Sequence, residues 1–106
     1  MTDTAKRLAG PTSVPNSETT LYTVPGATTA TLLGMRIVNT TGSDATIKMS
    51  IGPDAAGTRI LSDYTVLAND AYDWQGFLVL AAGETLRATG GTNNALTATV
   101  SGIETT

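Results

Sequence analysis

The sequence predicts an all-β fold: a single antiparallel β-sandwich, jelly-roll-like, of about eight strands, with an extended N-terminal arm. Three observations carry this. Thr makes up about a fifth of the chain, a β-favouring excess, because its branched β-carbon suits a pleated surface. Thr and other polar residues alternate with single apolar ones in Leu21-Tyr22-Thr23-Val24, Ala45–Ile51 and Leu96–Ser101, the period of a strand with one face in a core. Turn signals recur about every 8–12 residues, and no segment shows an apolar stripe of helical period.

The elements follow in order. Residues 1–16 have no sustained periodicity and carry Gly10, Pro11 and Pro15; they are expected to run as an arm along a neighbouring surface, with residues 17–106 forming the sandwich. Thr19–Val24 reads as the first strand, closed by the turn pair Pro25-Gly26. Ala30–Asn39 is long and apolar on both faces, so it is expected to lie centrally, with Leu33, Met35 and Ile37 on one face and Gly34 marking a bulge or a close backbone approach. Thr40–Ser43 is a hairpin-type loop, and Asp44–Ile51 returns with Ile47, Met49 and Ile51 inward. Gly52–Gly57 is a loop. Short strands follow at Thr58–Leu61, Tyr64–Leu67, Ala71–Trp74 and Phe77–Leu80, with a turn at Ala68–Asp70. Ala81–Glu84 turns into Thr85–Thr89, and Gly90–Asn94 turns into the last strand, Ala95–Glu104. The expected core is Leu33, Met35, Ile37, Ile47, Met49, Ile51, Phe77, Val79, Leu86 and Val100.

Composition narrows the function. The chain has 106 residues, a formal net charge of −3 and 14% charged residues. A nucleic-acid binder needs a basic face to displace counterions, and an anionic membrane attracts basic segments, so neither partner is expected. There is no Cys and no His, which removes the disulfide framework, the thiolate ligand, the usual catalytic base and the strongest nucleophile. No apolar run reaches membrane-spanning length and the N-terminus lacks signal-peptide order, so synthesis in a cytoplasm is expected. A chain of this size with five aromatics has a thin stability margin, for which oligomerisation is one remedy.

Candidate chemistry is sparse. Asp70 and Asp73, with Asp63 before them, are the nearest thing to a carboxylate pair; Asp in a turn and its outgoing strand more often shapes the turn. Asp54 and Asp63 offer oxygen ligands for a cation, but Gly52–Gly57 lacks EF-hand spacing and its closing Glu. Gly90-Gly91 has neither a helix behind it nor a following Lys, so it reads as a turn, not a phosphate loop. No cofactor and no catalytic residue is expected, and the chain is not read as an enzyme. The candidate interface residues are Lys6, Arg7, Leu8, Pro11 and Val14 on the arm, and Tyr72 and Trp74, which share a strand face. Trp74 is also open to a core role, and Tyr72 with Trp74 to a sugar platform.

The stretches KRLAGPTSVPNSETTLYTVP, IVNTTGSDATIKMSIGPDAAGTRIL and YDWQGFLVLAAGETLRATGG resemble a group of small virion proteins of tailed bacteriophages, over most of residues 6–104. The resemblance implies a non-enzymatic β-sandwich that assembles on a particle. It favours a capsid decoration (cement) protein, trimeric, bound to the major capsid protein or other virion proteins and made in the host cytoplasm. A tail or neck component, acting as adaptor or receptor-binding module, is the alternative.

Overall fold

Alternating Thr and apolar residues fold here as strands throughout. The computed structural model describes residues 2–106, and among them it holds eight strands and no helix. These are β1 (Asp3–Val14), β2 (Thr19–Thr23), β3 (Thr29–Asn39), β4 (Ala45–Ile51), β5 (Arg59–Val66), β6 (Ala71–Leu80), β7 (Thr85–Gly90) and β8 (Leu96–Thr105). The first sheet has the order β1-β8-β3-β6 and the second β2-β7-β4-β5. All pairings are antiparallel. The strands pair from the outside in: β1 with β8, β2 with β7, β3 with β6, β4 with β5. The chain changes sheet at every connection except β4–β5. That is the path of one long hairpin, centred on β4–β5, wrapped around a core.

The core fills the space between the sheets. Leu32, Met35, Ile37, Leu80, Leu96 and Val100 point into it from the first sheet, and Tyr22, Ile47, Met49, Val66 and Leu86 from the second. Three polar residues are buried with them, Thr28, Asn39 and Ser50. Asn39 is fully buried at the end of β3, where its Nδ2 donates to the carbonyls of Ser43 and Val66 (2.8 and 3.0 Å). Its Oδ1 accepts from the Thr41 amide and hydroxyl (3.0 and 2.8 Å). With both donors and the acceptor occupied, burial leaves nothing unpaired.

Three expectations are corrected. The residues assigned to an arm are, from Asp3 to Val14, the outer strand of the first sheet, paired with β8 from Asp3↔Thr105 to Val14↔Leu96. Gly10 and Pro11 do not break it. They sit at a register shift between Ala9 and Thr12. Pro is tolerated on an outer strand, where its missing N–H need not serve a second neighbour. Gly10 takes a φ of +80° and presses against the Ala98 carbonyl with no room for a Cβ. Leu8 and Val14 are therefore core residues, 9% and 0% exposed.

The second correction concerns strand breaks. Thr58–Leu61 and Tyr64–Leu67 belong to one irregular strand, β5, which bends against β4 between Ile47 and Ser50. Ala71–Trp74 and Phe77–Leu80 likewise join as β6. Gln75-Gly76 is not a turn: Gly76 and Phe77 together oppose Leu33, which makes a bulge.

The third concerns facing. A bulge at Leu33–Gly34 in β3 resets the alternation, so Leu32 shares the inner face with Met35 while Leu33 turns out. On β6 the inner residues are Tyr72, Trp74, Leu78 and Leu80. Leu33, Phe77 and Val79, expected in the core, are 39%, 72% and 55% exposed. Met35, Ile37, Ile47, Met49, Leu86 and Val100 are buried as expected, and Ile51 is half-buried. Of the bulge or close backbone approach expected at Gly34, the bulge is present.

Candidate functional site

β5 and β6 are the outermost strands on the same side of the two sheets. Together they form one edge of the sandwich. Four of the chain's five aromatic residues lie on them: Tyr64 on β5, and Tyr72, Trp74 and Phe77 on β6. The connection is held by short polar contacts. The amide of Ala68 donates to Asp44 Oδ1 (2.9 Å), that of Asn69 to the Thr41 carbonyl (3.0 Å), and that of Asp70 to the Leu67 carbonyl (3.1 Å). Asn69 takes a φ of +54°, which Asn tolerates better than most residues. The turn thus closes tightly and brings the flanking tyrosines together. The rings of Tyr64 and Tyr72 meet with centroids 4.2 Å apart, tilted by 37°. They bridge the two sheets where no strand continues.

Beside this pair lies a groove of about 310 Å³, lined by Tyr64, Val66, Leu67, Asp70 and Tyr72. Leu67 is 56% exposed. Tyr72 and Trp74 are half-buried and pack against the core with one side. The Trp74 ring lies over Gly76 and takes the space a Cβ there would need. The edge therefore presents aromatic surface fixed from behind, over strands with unpaired outer backbone groups. Both features suit a protein partner.

The residues expected at an interface do not come together. Tyr72 and Trp74 lie on this edge. Lys6, Arg7 and Pro11 are exposed on β1, at the opposite edge of the first sheet. Leu8 and Val14 face the core and cannot meet a partner. Lys6 Nζ pairs with Glu104 at 3.2 Å, and Glu104 also accepts from the Tyr22 hydroxyl. These hydrogen bonds hold the Glu104 carboxyl below the ordinary range, against some desolvation. Tyr64 and Leu67 escaped the sequence reading. The one signal for Tyr64 was its spacing: it stands as far before Ala68 as Tyr72 stands after it.

The candidate chemical residues are engaged structurally. Asp70 Oδ1 accepts from the Ala71 amide at 2.8 Å, and Asp73 pairs on the surface with Arg36 at 3.5 Å. Asp54 is gripped by Arg59 through two bonds of 2.9 and 3.1 Å. The Arg59 guanidinium holds its carboxyl below the usual value. Asp63 pairs with Lys48 at 3.0 Å. Among the described residues no three acidic side chains cluster as metal ligands would. The amides of Gly90 and Gly91 donate to the carbonyls of Pro15 and Thr46, each at 2.8 Å, so neither is directed at a ligand. Among the described residues, no helix is long and apolar enough to cross a membrane.

The chain matches no protein-family model and no curated protein.

A second concavity lies on the outer face of the first sheet. It has a volume of about 280 Å³ and is bounded by Arg36, Asp73, Gln75, Thr99 and Ser101, with Gly34 at its floor.

Proposed function

We propose that the chain is a structural component of a tailed-bacteriophage particle. In this reading it is a capsid decoration protein that binds the major capsid protein and its own copies, as a trimer, and performs no catalysis. The observation that carries the reading is the β5–β6 edge. A domain poor in aromatics has gathered three of its five along one margin: Tyr64 and Tyr72 in ring contact beside a groove, and Trp74 packed against the core on one side. Interface centres are enriched in Tyr and Trp in this way. The outside-in strand pairing adds support, since strands wound as one long hairpin in this way recur in the jelly rolls of viral capsid domains. The three sequence blocks that resemble small virion proteins supply the setting.

A reconstruction of purified particles tests this. The expected result is density for the chain over the head, with Tyr64, Leu67, Tyr72 and Trp74 covered by a neighbouring subunit. Particles without the chain, or with that edge facing solvent in every copy, overturn the reading. Density confined to the tail or neck overturns the decoration assignment.

A further inference from the structure

We infer that the depression over Gly34 is a binding site for a neutral carbohydrate, a hexose unit of an oligo- or polysaccharide. The register builds it from two adjacent cross-strand rows. Ser101, Gly34 and Gln75 form one row across β8, β3 and β6, and Thr99, Arg36 and Asp73 form the next. The paired bulges at Leu33–Gly34 and Gly76–Phe77 turn Gly34 toward the outer face, where its missing side chain leaves the hollow.

Glycine is not required at position 34 by the backbone or by packing. Its φ lies outside the left-handed region, and an added Cβ would meet one atom, the Trp74 carbonyl oxygen, at an ordinary 3.5 Å. What Gly34 contributes is open space on a face that side chains otherwise cover.

The rim defines the ligand. Gln75, Thr99 and Ser101 form no side-chain hydrogen bonds within the described residues, so an amide and two hydroxyls are free to donate and to accept. Arg36 supplies donors and Asp73 acceptors, and their charges cancel. An anion would meet Asp73, and a cation would meet Arg36. A ligand dense in hydroxyls and without charge satisfies all five groups. Beside the rim, on the same strand and face as Gln75, stands Phe77, 72% exposed and flanked by Leu33 and Val79. An exposed ring beside a polar hollow matches the two faces of a pyranose: hydroxyls at the edge, and C–H groups that pack on an aromatic surface. This site is separate from the β5–β6 groove, and its existence does not depend on the virion assignment.

The test is an amide NMR titration of the full chain with neutral oligosaccharides: maltohexaose, cellohexaose, laminarihexaose, chitohexaose and mannohexaose. Sulfated heparin oligosaccharide serves as a charged comparison. The expected result is saturable shifts at Gly34, Arg36, Gln75, Thr99 and Ser101 with at least one neutral glycan. Gly34→Leu, which fills the hollow, and Phe77→Ala, which removes the ring, should each weaken binding tenfold or more while leaving the thermal midpoint of unfolding nearly unchanged. Should Gly34→Leu not fold, Phe77→Ala alone decides. The same glycan attached to beads should retain the wild-type chain and release the variant, which extends the result from free sugar to surface polysaccharide. Absence of shifts across the neutral panel, a preference for heparin, or binding indifferent to both substitutions overturns the site. Concentration-dependent broadening at these residues without any glycan marks a protein contact and also overturns it.

Discussion

The hydroxyl of Tyr22 donates to the carboxylate of Glu104, and this bond ties one sheet to the other. Tyr22 comes from β2 in the second sheet and Glu104 from β8 in the first, with Lys6 of β1 completing the cluster. Burial, and then the neighbouring carboxylate, push the Tyr22 phenol above its ordinary 10.0. Hydrogen bonding from Tyr22, and then from Lys6, holds Glu104 below its ordinary 4.5. A carboxyl with a lowered folded-state pKa contributes stability above its unfolded value, and that contribution fades as pH falls through the folded value. A phenol with a raised pKa contributes fully below its unfolded value, and that contribution fades as pH rises past it. Tyr22→Phe should therefore lower the melting temperature at neutral pH. The gap to wild type should narrow below about pH 4.5 and again above about pH 10. Calorimetry of both proteins across pH 3 to 11 checks this. A gap that stays constant across that range would show the bond to be energetically idle.

Asn39 is the buried polar residue on which one end of the sandwich depends. Replacement by Ala leaves the Val66 carbonyl, and in part the Ser43 carbonyl and Thr41 amide, without partners. Each unsatisfied buried group costs about 1–3 kcal/mol. Asn39→Ala should thus lose about 3 kcal/mol or more, because water reaches some of these groups but not Val66. Asn39→Asp should be at least as harmful, since a carboxylate would face two carbonyl oxygens. Urea unfolding measures both. A loss under about 1 kcal/mol for Asn39→Ala would mean that water replaces the side chain freely.

Adjacent leucines on β3 should behave oppositely. Leu32 is fully buried and Leu33 is 39% exposed. Leu32→Ala should cost about 2–5 kcal/mol, as should Ile47→Ala and Leu86→Ala, whereas Leu33→Ala should fall nearer the ordinary surface value of about 0.5 kcal/mol. Equal losses at 32 and 33 would place the bulge elsewhere.

This pair also shows how far the sequence could be read. Period-two alternation located β2, β3, β4, β7 and β8, because a half-buried strand imposes it, but it missed β1 and split β5 and β6. It could not say where alternation resets. One extra residue at Gly34 shifts the facing of everything before it, and the bulge at Gly76-Phe77 carries a continuous strand through what resembles a turn. Phe77 and Val79 were expected inside because large apolar residues usually are; their outward position follows from register, which a single sequence does not encode. The aromatic edge was half legible. Tyr72 and Trp74 stood out by type and spacing, but Tyr64 joins them through the strand order, a property of the whole fold.

β1 gives the sharpest test of that lesson. Pro11 and Gly10 suggested a segment outside the domain, and removal of such a segment would spare folding. In the structure the same residues are an outer strand that covers β8 along its length and sends Leu8 and Val14 into the core. Burying two such side chains is worth about 1.5–3 kcal/mol each, and a domain of this size has about 5–15 kcal/mol in total. Deletion also strips β8 of one neighbour and leaves an apolar face open. A chain lacking residues 1–14 should therefore be largely unfolded or aggregated at 25 °C. Arg7→Ala, which removes an exposed side chain on the same strand, should stay within about 0.5 kcal/mol of wild type. Far-ultraviolet circular dichroism and dispersion of amide resonances report both. A truncated chain that keeps dispersed spectra and a cooperative melt would return β1 to the status of a detachable arm.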